Sequence, residues 1–223
     1  MPTHPLDNAT HSALTGPHAR FAERRGNALR YPADISPLMA LPDDPETKDW
    51  TDLAALAGAR LSLTGPVLEP PDGWTVEARI PLLQFVDDGI AAASDEEAVR
   101  LGEADVPEIL ELVELTKPGP FLKRTIEMGT YLGIRRDGRL VAMAGERLHA
   151  PGWTEISAVC SDPAYRGHGL GTRLLLAVAA GIRDRGETPF LHVLESNVDA
   201  VRLYERLGFR LRLRTNIVIA AQP

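Results

Sequence analysis

Arg166-Gly167-His168-Gly169-Leu170-Gly171 is the stretch on which the reading of this chain turns. It lies between an apolar run ending at Cys160 and a segment with apolar residues at helical spacing, so it links a strand to a helix. Its three glycines leave several backbone N–H groups without side-chain cover. The first donors of a helix lack partners within it, and the aligned peptide dipoles put partial positive charge there. Together these features favour a bound diphosphate. The same residues also suit a tight strand-to-helix connection that holds nothing, and the turn alone does not separate the two readings.

The neighbouring segments extend the pattern. A helix is expected over residues 169–185, with Leu174, Val178 and Ile182 on one face, followed by a strand over 190–194. A second helix runs from Asn197, a good N-cap, to Gly208, a good residue just past a helix end, with Ala200, Leu203, Tyr204 and Leu207 at helical spacing. Phe209, Leu211 and Leu213 then alternate with Arg210, Arg212 and Arg214, which predicts a strand with the arginines on a solvated face.

Upstream, Pro151-Gly152 turns the chain into a strand over 154–160. Asp137-Gly138 sits between apolar runs at 131–135 and 140–148, a strong hairpin signal because both turn residues must reach positive φ. A short strand is expected over 99–101. Asp105, with Glu108 three residues on, opens a helix whose apolar face is Ile109, Leu112 and Val113, and Lys117-Pro118-Gly119-Pro120 ends it. The order from residue 99 is β-α-(α)-β-β-β-α-β-α-β, an α/β fold with a mixed central sheet flanked by helices.

The chain divides near Ala93, at the acidic run Ser94-Asp95-Glu96-Glu97. Residues 1–95 form an N-terminal α+β region of uncertain fold, expected to pack on a catalytic domain at 96–223 and to shape its acceptor pocket. Within it, 50–57 reads as a helix ended by Gly58, and 74–80 as a strand that Pro81 interrupts. Short strands and loops should dominate elsewhere in that half.

Two signatures carry a family resemblance. Arg166, Gly169 and Gly171 meet the Q/R-x-x-G-x-G/A pattern of the GNAT superfamily of N-acetyltransferases, and the run from Ile156 to Gly171 is similar to that family's strand, loop and turn. The run from Asn197 to Phe209, ending Tyr204-Glu205-Arg206-Leu207-Gly208-Phe209, resembles its second signature. The resemblance covers about residues 96–219. It implies acetyl-CoA or another acyl-CoA as co-substrate, with the diphosphate on Arg166, Gly167, His168, Gly169, Leu170, Gly171 and Thr172. It also implies that the backbone of Ala158, Val159 and Cys160 pairs with the pantetheine arm, that Asn197 bonds the cofactor, and that Tyr204 is the general acid. The implied reaction is direct attack of a primary amine on the thioester. For the general base, Glu155 lies on the strand leading to the turn and by alternation could point along the cleft; Glu146 on the preceding strand is the rival. Either needs burial to raise its pKa toward neutrality.

Bulk properties exclude other classes. A chain of 223 residues, 44% hydrophobic, can bury a sizeable core. Up to position 165 there are 15 basic against 26 acidic residues, and from 166 onward 9 against 5, so the turn and the segments after it attract anions while the net charge of −7 disfavours a nucleic-acid surface. No run is long and apolar enough for a membrane span and no leader is evident, so no membrane partner and a cytoplasmic location are expected. Cys160 is the single cysteine, which excludes an intrachain disulfide and reads as a small buried hydrophobe, not a nucleophile. His192 reads as a structural histidine. His4, His11 and His18 recur at sevenfold spacing without neighbouring acids or cysteines, so no metal is expected. The expected acceptor is an amine of a small molecule or amino acid; a protein Lys or N-terminal amine is the alternative, as is a non-catalytic CoA sensor. A nucleotide-binding domain, with Glu195 near the ribose position, fits the hairpin strands poorly. A homodimer is left open.

Overall fold

The structure is a computed structural model describing residues 4–58, 60–65 and 69–222. In chain order, helix α1 (Ala9–Leu14) precedes the hairpin of β1 (Glu23–Arg25) and β2 (Ala28–Arg30), then β3 (Met39–Ala40), α2 (Thr47–Ala57), β4 (Arg60–Thr64) and β5 (Thr75–Asp87). There follow β6 (Val99–Leu101), α3 (Val106–Thr116), β7 (Tyr131–Arg136), β8 (Arg139–Ala150), β9 (Trp153–Ser161), α4 (Leu170–Asp184), β10 (Thr188–Leu194), α5 (Val198–Leu207) and β11 (Phe209–Ala221). The strands form one sheet in the order β1-β2-β3-β4-β11-β5-β10-β9-β8-β7-β6. Its ladders are antiparallel except β9–β10 and β3–β4, so it is mixed as expected.

Local chemistry sets the element ends. Asp137 and Gly138 both take positive φ, 51° and 80°, and join β7 to β8 as the hairpin requires. Asn197 accepts a hydrogen bond from the Ala200 N–H and Gly208 closes α5 at φ 96°. Helix α2 starts with a capping box between Glu46 and Asp49, three residues before the expected Trp50. Leu174, Val178 and Ile182 are buried beneath α4 with Leu170 and Leu175, against Ile134, Ala144 and Leu191 of the sheet. Each such side chain contributes about 1.5–3 kcal/mol.

Pro81 does not interrupt its strand: β5 runs through it from Thr75 to Asp87. The Pro81 carbonyl accepts from the Glu195 N–H just beyond the end of β10, whose ladder with β5 finishes at Leu194↔Leu82. The missing proline N–H therefore points to the side where no strand remains to be bonded. β5 lies between β11 and β10, at the middle of the sheet, whereas β6 is at its edge; the division near Ala93 falls in the connection between them.

The N-terminal segment packs on the opposite face from α4. Leu6, Ala13, Leu14, Phe21 and Tyr31 share a core with Leu148, Ala150 and Phe190. His18 is buried there, with Nε2 donating to the Met128 carbonyl (3.1 Å) and Nδ1 accepting from the Tyr31 hydroxyl (2.9 Å). Burial, with His149 nearby, lowers its pKa to about 3. An unfolded chain takes up this proton near pH 6.5 and the folded one only near pH 3, so the contribution is complete above 6.5 and is lost as pH falls between those values. Urea unfolding from pH 7.5 to 4.5 should show stability falling by up to about 1.4 kcal/mol per pH unit from this residue. His18→Gln should flatten that slope, and identical slopes in the two proteins would refute the assignment.

Candidate cofactor and active site

β9 and β10 pair in parallel from Thr188↔Trp153 to Leu191↔Ile156 and no further, although β9 continues to Ser161 and β10 to Leu194. On its far side β10 stays paired with β5 over Phe190–Leu194. It is therefore β9 that leaves. The register between β8 and β9 slips between Gly145↔Ser157 and Met143↔Cys160, so Ala158 and Val159 together face Ala144. Ala158 takes φ 54°, a rare conformation for a residue with a side chain. This bulge bends β9 away from its neighbour and leaves backbone groups of residues 157–161 facing a gap.

The gap opens into a cavity of about 970 Å³. At one end lies the glycine turn. Gly167 and Gly169 have φ of 83° and 71°, and a β-carbon at either would meet open space, so the conformation and not crowding calls for glycine there. Gly169 caps α4 without a side chain, and the peptide N–H groups of residues 167–172 find no acceptor among the described residues. Arg166, Gly167, Gly169, Leu170, Gly171 and Thr172 line the cavity, as do Ala158, Val159 and Cys160. His168 does not. Its ring turns back to the Tyr165 carbonyl, 3.2 Å away.

At the other side α5 brings Asn197, Ala200, Leu203 and Tyr204 to the cavity. This explains why none of its residues is buried despite good helical spacing: its apolar face looks partly into empty space. Asn197 spends its side-chain oxygen on the Ala200 N–H. Tyr204 is half-buried, and the loss of water around its hydroxyl pushes it up to about 12, so it holds its proton at neutral pH. The Cys160 thiol is pushed up to about 11 by burial and packs with Ile109, Leu112 and Met143, which makes it a poor nucleophile.

Neither glutamate lines the cavity. Glu146 accepts from the Thr130 N–H (3.0 Å) and Arg185 Nη2 (2.9 Å). Glu155 is completely buried, accepting from Arg147 through Nε (2.9 Å) and Nη2 (2.7 Å) and from His192 Nδ1 (2.8 Å). Burial would raise its pKa, but Arg147 and His192 outweigh this and hold it well below the usual carboxylate range. The condition set for Glu155 as a base, a pKa raised toward neutrality, is not met, because a guanidinium occupies the side that alternation aimed at the cleft.

Sequence reasoning passed over Arg147 and read His192 as a structural histidine. Arg147 and His192 both line the cavity. With Nδ1 of His192 donating to Glu155, Nε2 accepts from Gln84 Nε2 (3.0 Å), which also donates to the Leu6 carbonyl. Arg212 then bonds Gln84 Oε1 (2.7 Å) and pairs with Asp7. Arg212 was expected on a solvated face, yet its side chain is only 17% exposed. The register of β11 against β5 shifts between Leu211 and Leu213, so Arg212 falls at a bulge that breaks the period-two reading. Arg147 and His192, neighbours unreadable before folding, distinguish Glu155 from a free carboxylate.

A strand gap that ends at a bare helix N-terminus, with a protonated tyrosine on its wall, has the shape and free donors that suit a long diphosphate-bearing ligand. The FR47-like protein family matches residues 131–218. A GNAT-family acetyltransferase structure from Novosphingobium aromaticivorans is 40% identical and superimposes with a TM-score of 0.90 over 99% of this chain and 100% of its own. A mycothiol acetyltransferase from Salinispora tropica is 34% identical over 173 residues, 72% of this chain and 53% of its own length. Another, from Thermomonospora curvata, is 44% identical over 96 residues, 43% of this chain and 32% of its own. The chain thus spans about half or less of these curated relatives. It belongs to the GNAT family of acetyltransferases.

Gly171 offers a clean probe of the cleft. It has an ordinary helical conformation, and a β-carbon there would meet only Ser161 Oγ and Val159 Cγ1, both at 3.5 Å. Gly171→Leu should leave the melting temperature of the free protein within a few degrees and abolish the thermal shift produced by acetyl-CoA. A retained shift would show that the diphosphate lies elsewhere.

Proposed function

We propose that this protein transfers an acetyl or other short acyl group from acyl-CoA to an amine of a small molecule or amino acid, by direct attack on the thioester. The observation that carries the reading is one continuous cavity running from the unpaired N–H groups at the start of α4, along the released backbone of residues 157–161, to Tyr204. In this reading the diphosphate sits on those N–H groups and the pantetheine arm takes the place of the missing strand partner. Its thioester then lies near the closed end of the gap, by Ile156 and His192. Holding the amine against that carbonyl supplies most of the acceleration; as the C–N bond forms and the C–S bond breaks, the Tyr204 hydroxyl protonates the departing thiolate, and the proton lost from the nitrogen passes to solvent, from which Tyr204 is reprotonated.

The amine must lose its proton first. The carboxylates weighed as bases, Glu155 and Glu146, lie off the cavity, whose lining includes Arg30, Arg60, Lys117, Arg147 and Arg166 but no Asp or Glu among the described residues. Positive charge around a bound amine lowers its pKa and favours the neutral nucleophile, so electrostatics does the work assigned to a carboxylate base. A small acceptor is favoured over a protein lysine because Tyr31, Ser36 and Ser62 of the N-terminal half and Ile217 of β11 wall the acceptor end. Mycothiol acetyltransferase being the name of similar proteins, a mycothiol-type acceptor belongs among the amines to test.

Tyr204→Phe should lower kcat about 10²-fold or more while leaving acetyl-CoA affinity nearly unchanged, since it removes a proton donor and not a phosphate contact. Steady-state CoA release with an amine panel, beside calorimetric binding of acetyl-CoA, measures both. Unchanged turnover would remove Tyr204 from the mechanism, and binding without turnover of any amine by the unaltered protein would favour a sensor.

A further inference from the structure

Resting on the acyl-transfer reading above, we propose that Arg147 is an acceptor-specificity residue whose free guanidinium edge grips a carboxylate, so that the acceptor is an amino acid or a comparable amino-carboxylate.

A guanidinium carries five N–H donors, four of them arranged as two forks, one formed by Nε with Nη2 and one by Nη1 with Nη2. Glu155 occupies the first fork completely, with one carboxylate oxygen on Nε and the other on Nη2. The second fork has no acceptor among the described residues. The side chain is 18% exposed and Arg147 lines the cavity, where its remaining donors have no partner among the described residues. Such donors are costly when left unpaired, and a carboxylate meets them with two charge-assisted bonds.

The position is right for an acceptor. Glu155 Oε1 takes both Arg147 Nη2 (2.7 Å) and His192 Nδ1 (2.8 Å), which holds the guanidinium beside His192. His192 is the first residue of β10 beyond its last pair with β9, so the free fork stands at the head of the gap where the thioester arrives. The partner that ties Arg147 down is itself completely buried, so the fork is aimed before anything binds.

The charge of the surroundings points to the same ligand. The chain has 31 acidic residues and a net charge of −7, yet none of the described residues lining the cavity is Asp or Glu. Arg30 and Arg60 also line it, and their own partners, Glu23 and Glu77, lie off its surface. An acceptor bearing only an amine finds no counter-ion here. One with a carboxylate beside the amine is held by the acid and keeps its amine free to attack.

The test uses the full chain with acetyl-CoA and a panel of L-amino acids beside the corresponding amino-acid amides, which keep the amine and side chain but lose the negative charge. Initial rates of CoA release should favour the acids by at least about 10²-fold in kcat/KM. Arg147→Gln should bring that ratio close to one, mainly by raising the acceptor KM, with the KM for acetyl-CoA unchanged. Arg147→Lys, which keeps a cation beside Glu155, should retain part of the preference and guards against a variant that fails to fold. If both variants lose the acetyl-CoA thermal shift, the ratio in the unaltered protein decides. Equal rates on acids and amides, or a preference untouched by either substitution, would overturn the assignment of Arg147 while acyl transfer stands. Absence of turnover on both series despite acetyl-CoA binding would instead remove the acyl-transfer reading beneath it.

Discussion

The parting of β9 from β10 beyond Ile156 and Leu191 is the constraint on which the rest of the molecule depends. A sheet gains by pairing every N–H and C=O, so a gap in its middle must be held open by something stronger than the missing bonds. Two devices do this. β10 is pinned on its far side by β5 over its whole second half, and β9 is bent by the bulge at Ala158, where two residues face Ala144 across the ladder with β8. The unpaired backbone is then an edge within the sheet, ready for an extended ligand, and the bare start of α4 lies at its outer end.

The buried polar chain behind the gap has a second consequence. Arg147, Glu155, His192, Gln84, Arg212 and Asp7 form a continuous run of bonds from β8 across the sheet to the N-terminal segment. Removing Arg147 would leave the completely buried Glu155 charge without its main partner, a change that costs roughly 3–5 kcal/mol for a buried pair. Residues from both sides of Ala93 are therefore tied together at the wall of the cavity. A carboxylate spent on orienting Arg147 and His192 stays ionised and cannot also be a proton acceptor near neutral pH.

How far the sequence could be read depended on the range of the forces involved. The hairpin at Asp137-Gly138, the N-cap Asn197, the C-terminal Gly208 and the strand-turn-helix around Gly169 all rest on contacts within a few residues, and each stands in the structure at its expected place. Pro81 misled because a proline breaks a strand only where its missing donor faces a neighbour, and here the neighbour has already ended. Arg212 misled because one extra residue in β11 breaks strict alternation and leaves the arginine half-buried.

From the sequence by itself came the order of elements in the second half, the glycine turn with its free donors, and the tyrosine at helical spacing that lines the cavity. Only the tertiary structure decided that β5 lies at the centre of one sheet, that β9 leaves β10 at Ile156, and that Glu155 is locked to Arg147 and His192. The reason is physical: caps and turns are settled by neighbours in the chain, whereas a gap in a sheet and the charge state of a buried carboxylate are settled by residues tens of positions away that meet only on folding.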